Sequence, residues 1–177
     1  MAMKIPEVLT DALIYIDSGM CEGSGDVTLP SFNFITAEIS GAGIAGSLKV
    51  PIIGHTQSVQ LSVTWRIPTA QNFKALSPEV HEIVVRASIQ NSEADGRTRH
   101  VPVRYHFRAM PVEGTAGTLS QGASVGMTTV FEVEAQTVYI DNKKVLNYDK
   151  KSYVYEALDK NGQLVDFLKP IRENLGR

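Results

Sequence analysis

The chain has 177 residues, 43% hydrophobic and 20% charged, with 17 basic against 19 acidic side chains and a formal net charge of -2. That length suits a single domain, residues 1–177, with a core of its own, and the balance of charge argues against a general nucleic-acid binder, which carries a basic excess. The one cysteine, Cys21, excludes an intramolecular disulfide and fits a cytosolic folding compartment; no N-terminal stretch reads as a signal peptide, and no apolar run approaches the roughly 20 residues that span a bilayer.

Met1 to Pro6 reads as a loose arm. Leu9 to Asp17 alternates Leu13, Tyr15 and Asp17 against Ile14 and Ile16, which predicts a short strand. Ser18 to Asp26 is a glycine-rich loop. Its Gly23-Ser24-Gly25 lacks the lysine and the following helix of a phosphate cradle. Cys21 has no base beside it in sequence, because His55, His81, His100 and His106 are all distant, so it does not read as a nucleophile.

The stretch Val27 to Val50, VTLPSFNFITAEISGAGIAGSLKV, is the most distinctive. Pro30 holds Leu29 extended, and Phe32, Phe34, Thr36 and Ile39 form an apolar, β-favouring run. Gly41, Gly43 and Gly46 follow among small residues, the mark of a bulge, a bend or the close approach of another backbone. Their letters fit G-x-G-x-x-G, but a dinucleotide fingerprint lies between a strand and a helix, with an acid about 20 residues on. Here Ser47 to Pro51 is strand-like and Gln60 to Thr64 offers no acid.

Ser58 to Arg66 is the clearest strand. Val59, Leu61, Val63 and Trp65 share one face, and Ser58, Gln60, Ser62 and Thr64 share the other. Gly43 to Val50 is expected to pair with it across Pro51 to Gln57. Pro68 to Ser77 is the helix candidate, with Pro68 in the first turn and Ala70, Phe73 and Leu76 on one face, suited to capping a barrel mouth or a sheet edge. Ile83 to Gln90 alternates again, Asp95-Gly96 turns the chain, and Val101 to Arg108 returns with Arg104, His106 and Arg108 on one face. Pro111 to Ser124 is glycine-rich and reads as a mobile loop. Met127 to Ile140 is one long strand or a bent pair, with Glu132, Glu134 and Gln136 on one face and Phe131, Val133 and Ala135 on the other. Asp141-Asn142-Lys143 turns into Lys144 to Tyr148, Tyr153 to Ala157 is a last short strand, and Asp166 to Leu175 is either a short helix or an extended tail.

Little of this is catalytic. Glu132 and Glu134 lie two apart on one strand, whereas glycosidase carboxylates flank a substrate from different strands. Arg104, His106 and Arg108 could hold an anion, but three cations make few phosphate contacts. No His, Cys and Asp grouping has metal-ligand spacing, and no cofactor is expected. The pattern is mainly β: an antiparallel β-barrel or sandwich with one short helix.

The run TLPSFNFITAEISGAGIAGSLKVPIIGHTQSVQLSVTWR resembles the major tail tube protein of contractile-tailed bacteriophages. The resemblance continues through Val80 to Ala87, the central β segments and the closing Ile171 to Gly176, in the family's order. It implies a structural subunit and no enzyme. Six copies would form a ring, and rings would stack into a hollow tube inside a contractile sheath. Partners implied are its own copies, the sheath subunit, the baseplate hub and the tape-measure protein, with DNA passing through unbound. The place implied is the tail of the virion, assembled in the bacterial cytoplasm. On that reading, Gly41, Gly43, Gly46, Pro51 and Gly54 are candidates for a subunit contact. Ser58, Gln60, Ser62, Thr64, Glu132 and Glu134 are candidates for the channel lining, where hydroxyls, amides and carboxylates would stay wet and weakly repel DNA. The alternatives are the inner tube of a phage-tail-like bacteriocin or contractile injection system, and a β-barrel that holds a small ligand.

Overall fold

The structure is a computed structural model and describes residues 4–20, 25–93 and 97–176. Cys21, most of Gly23-Ser24-Gly25 and the Asp95-Gly96 turn lie outside the described residues. The elements run β1 (Lys4–Ile16), β2 (Gly19–Met20), β3 (Gly25–Thr28), β4 (Phe34–Ser40), β5 (Ser47–Thr56), β6 (Gln60–Trp65), α1 (Ala70–Lys74), β7 (His81–Glu93), β8 (Thr98–Thr115), β9 (Met127–Ile140), β10 (Lys143–Asp149), β11 (Val154–Leu158), β12 (Leu164–Asp166) and α2 (Lys169–Asn174). The tail thus takes the helical alternative, and the fold carries two short helices rather than one.

One antiparallel sheet runs β12-β11-β10-β9-β8-β7-β1-β2, and β9 forks it. Residues Met127 to Glu132 of β9 pair with β6, which pairs in turn with β3. Residues Ala135 to Ile140 pair with β10 on the same edge. The exchange of partner falls at Glu134: the Val133 N–H donates to Val59 O at 2.8 Å, and the Lys150 N–H to Glu134 O at 2.9 Å. Against β8 the register slips at this point, where Ala109 opposes Val133 but Arg108 opposes Ala135. That bulge reverses which side faces inward. Met127, Thr129, Phe131 and Val133 are buried before it, Gln136 and Val138 after it. Gln136 therefore does not share the face of Glu132 and Glu134.

The forked sheet curls so that the β6–β3 branch covers β1 and β7. Ile14, Ile16, Ile83 and Val85 share one cluster with Val59, Leu61, Val63, Trp65, Phe107, Phe131 and Tyr148. The interior is filled by large side chains, with Trp65, Phe107, Phe131 and Tyr148 fully buried. Burying such a side chain contributes about 1.5–3 kcal/mol each for the aliphatics and somewhat more for the larger aromatics.

Thr69 caps α1 by accepting from the Asn72 N–H at 3.3 Å. Asn72 is the buried residue of α1, followed inward by Ala75 at its C-cap and Leu76 just beyond; Phe73 is 50% exposed. Of the expected Ala70–Phe73–Leu76 stripe, only Leu76 packs against the core, while Ala70 and Phe73 are exposed. Leu76 closes over Gly114, where an added Cβ would run into Leu76 Cδ2.

Several expectations need correction. Lys4 to Pro6 are not a loose arm, because they pair with Glu93 to Asn91. Pro111 to Thr115 are not loop but the far end of the 18-residue β8. Gly43 to Val50 does not pair with Ser58 to Arg66. β5 pairs instead with β4, as a separate two-stranded ribbon.

Candidate functional site

Two surfaces carry the residues singled out from the sequence. The first is the outer face of β6 and the first half of β9. Gln60 stands opposite Glu132, Ser62 opposite Val130 and Thr64 opposite Thr128. Thr64 and Thr128 hydroxyls meet at 3.1 Å, and Ser58 Oγ donates to Glu132 Oε2 at 2.5 Å. The six candidates Ser58, Gln60, Ser62, Thr64, Glu132 and Glu134 thus fall on one continuous face. Glu134, two residues on from Glu132 and just before the alternation reverses, points outward as well, toward Arg108 and Lys151.

Their charges are compensated. Lys150 Nζ meets Glu132 Oε1 at 2.7 Å and Lys151 Nζ meets Glu134 Oε1 at 2.6 Å. Arg108 lies 3.6 Å from Glu134 and 3.2 Å from Asp149. Burial pushes the Glu132 carboxyl up, but hydrogen bonds from Lys150, Ser58 and the Val59 N–H outweigh it and hold it below the usual range. Asp149 behaves alike: burial raises it, and the Ser152 contacts and the Arg108 charge bring it below the ordinary value. Lys150 and Lys151 carry no signal of this role in the sequence, since a turn residue gives no periodic sign of which face it reaches. Farther along the same face Arg104 lies over Tyr139, 4.6 Å from the ring centre, and Arg86 over Tyr15, at 5.0 Å.

The second surface is the β4–β5 ribbon. Ile39 pairs with Leu48 and Ala37 with Val50 on one side; Glu38 with Lys49, Ser40 with Ser47 and Thr36 with Pro51 on the other. Every residue from Phe34 to Ile53 is exposed, and Ile39, Leu48 and Ile52 are 43, 53 and 42% accessible. Only the base is anchored. Phe32 meets Tyr148 edge-on at 5.3 Å, Phe34 meets Tyr155 at 6.0 Å, and Thr56 bonds the Tyr148 hydroxyl. Gly54 belongs to the base, at φ +73 with Leu168 packed where a Cβ would go. Gly41, Gly43 and Gly46 form the distal turn at φ +147, +94 and +107, in open space. Within one chain they are there for backbone conformation.

One arrangement escaped the sequence. His81, buried, binds Asp17 Oδ2 through Nδ1 at 2.6 Å, and its Nε2 lies 3.1 Å from Ser77 Oγ. The order Ser–His–Asp is that of a hydrolase triad, but the Ser77 hydroxyl donates to Lys74 O at 2.9 Å and is not a free nucleophile. The trio instead ties the exit of α1 to the β1–β2 turn. No group of three His, Cys, Asp or Glu side chains among the described residues could hold a metal.

The family model of phage tail tube protein FII matches residues 6–176. Among solved structures, the chain is similar to the sheath/tube terminator, in its extended state, of the extracellular contractile injection system PVC. The TM-score is 0.55 at 13% identity, over 76% of this chain and 96% of that one. No curated protein matches. A filled antiparallel β body with a projecting ribbon, and a family match from residue 6 almost to the last, lead to one conclusion: the chain belongs to the phage tail tube protein FII family and is a structural tail tube subunit.

Proposed function

We propose that copies of this chain join into six-membered rings that stack into a hollow tube within a contractile sheath, and that DNA passes along the bore without specific binding. The observation that carries this reading is the ribbon. A two-stranded ribbon with one apolar face is marginal alone in water, and both its strands present open edges that invite pairing. A neighbouring copy supplies what the ribbon lacks. The candidates Gly41, Gly43, Gly46, Pro51 and Gly54 all lie on the ribbon, turn or base, which supports a contact between subunits there. On this reading the outer face of β6 and β9 borders the bore, and the sheath subunit, baseplate hub and tape-measure protein are the other partners. The protein acts in the virion tail after assembly in the host cytoplasm, and it performs no catalysis. A tube of a contractile injection system is the second reading, favoured by the structural neighbour, which is itself part of such a system. Negative-stain electron microscopy of the purified protein is expected to show six-fold rings and stacks of them. A protein that stays monomeric at high concentration, with no rings, overturns the reading.

A further inference from the structure

The outer face of the large sheet carries, midway along β7 and β8, a pair of cations with no ion-pair partner among the described residues. Arg86 and Arg104 are register partners across β7 and β8, and like charges directly opposite are unfavourable. His106 stands beside them, its ring 5.9 Å from that of Tyr139. Burial and the charges of Arg104 and Arg86 hold the His106 imidazole below its usual titration range. Each guanidinium carbon lies within cation–π distance of a tyrosine ring, Arg86 on Tyr15 and Arg104 on Tyr139, and the guanidinium fork suits a planar acceptor. Arg104 Nε is enclosed and has no hydrogen-bond partner among the described residues. The neighbouring cation is treated differently, for Arg108 has Glu134 and Asp149. Among the described residues neither Arg86 nor Arg104 has an ion pair.

We infer that Arg86 and Arg104 form a carboxylate-binding site filled by Glu38 from the β4–β5 ribbon of a second copy of this chain. The inference rests on the tube reading and names the partner of the ribbon's polar face. Glu38 is the only carboxylate between Phe34 and Thr56. It is exposed, makes no ion pair among the described residues, and stands on an element that projects from the body, so it can reach another copy. Complementarity extends beyond one contact. Lys49 is the cross-strand partner of Glu38. On the receiving face, acids flank the arginines: Glu82 opposite Arg108 on one side, and Asp11 opposite Ser88 on the other. With Glu38 seated on the arginines, Lys49 meets one of those acids. The same flanking acids oppose a nucleic-acid backbone, which brings phosphates on both sides and needs many cations. The site is also off the patch proposed for the bore. The nearest member of that patch, Glu134, lies beside Arg108, four residues from Arg104, or about 13 Å along the strand at roughly 3.3 Å per residue.

The test compares assembly of the full-length wild type with Glu38→Arg, Arg104→Glu, the double exchange, and Arg104→Lys. The readouts are pelleting and electron microscopy, with circular dichroism as the check on folding. Each single reversal is expected to raise the concentration needed for assembly at least tenfold. The double exchange is expected to recover most of that loss, because each copy then carries both reversed partners, and Arg104→Lys is expected to lie between. Since Glu38 is exposed, Glu38→Arg keeps the monomer folded even if Arg104→Glu does not. If wild type assembles and Glu38→Arg assembles equally well, this pairing is wrong while the tube reading stands. A double exchange no better than the folded single variants also overturns it. So does tight binding of wild type to duplex DNA that is lost in Arg104→Glu and kept in Glu38→Arg, which marks a nucleic-acid site. A wild type that forms no rings removes both readings.

Discussion

Glu132 sits where three donors converge, from Ser58, the Val59 N–H and Lys150. Its carboxyl, ordinarily titrating at 4.5, is held lower in the folded chain. As pH falls the unfolded state therefore takes up the proton first. The stability from these contacts is complete above about pH 4.5 and is lost as pH falls through the lower folded value. Asp149, Glu156 and Asp166 are shifted in the same direction. Glu132→Gln is expected to lower the stability of the unassembled protein at pH 7 by about 0.5–1 kcal/mol, since the pair is partly solvated. It is also expected to flatten the fall in stability below about pH 4.5, measured by urea unfolding at each pH. An unchanged pH profile would show that the contacts contribute nothing. The polar side of β6 and β9 is legible from period two, but the compensating lysines are not. Nor is the Asp17–His81–Ser77 tie, whose members meet only because β1 and β7 pair from 64 residues apart.

The ribbon is the element whose sequence and structure are most at odds within one chain. Phe32 to Ile39 and Leu48 to Val50 read as strands, and β4 and β5 are strands, yet their pairing does not follow from the sequence. Alternation identifies a strand's faces but not its neighbour, and here neither face finds a partner inside the chain. β9 misleads in a different way: one inserted residue at Glu134 reverses the alternation, and only the register with β8 reveals it. The inward face of α1 is hard to read because five residues give too little periodicity to fix a phase. On the ribbon, replacing both Leu48 and Val50 with threonine keeps β-favouring side chains while removing the apolar surface. Both are exposed in the single chain, at 53 and 37%, so its stability is expected to move by no more than about 0.5 kcal/mol. Assembly is expected to fail or to need at least tenfold more protein, since each aliphatic buried at a contact contributes on the order of 1 kcal/mol. Tubes forming at the wild-type concentration would exclude this face from the contact.

At the scale of the whole molecule, the question is what a passing duplex meets. DNA carries one negative charge per about 1.7 Å of axis, so a wall of free cations traps it and a wall of free carboxylates repels it. The proposed lining does neither. Ser58, Gln60, Ser62 and Thr64 are uncharged, Glu132 and Glu134 are each held by a lysine, and Arg108 is held by two carboxylates. With those cations in place the wall is wet and nearly neutral rather than weakly repelling, which lets a duplex slide in either direction. The opposite face is already accounted for, because Leu61, Val63 and Trp65 are fully buried in the subunit's own core. A single thiol at Gln60→Cys or Thr64→Cys, with Cys21→Ser to remove the native one, tests the assignment in assembled tubes. A small thiol reagent is expected to label both positions, and a reagent on a polymer too large for the bore only at the few copies exposed at tube ends. Both are expected to react fully after disassembly. Full labelling of intact tubes by the large reagent would put the β6–β9 face on the outside of the tube, against the sheath, and the lining would have to be sought on another surface of the subunit.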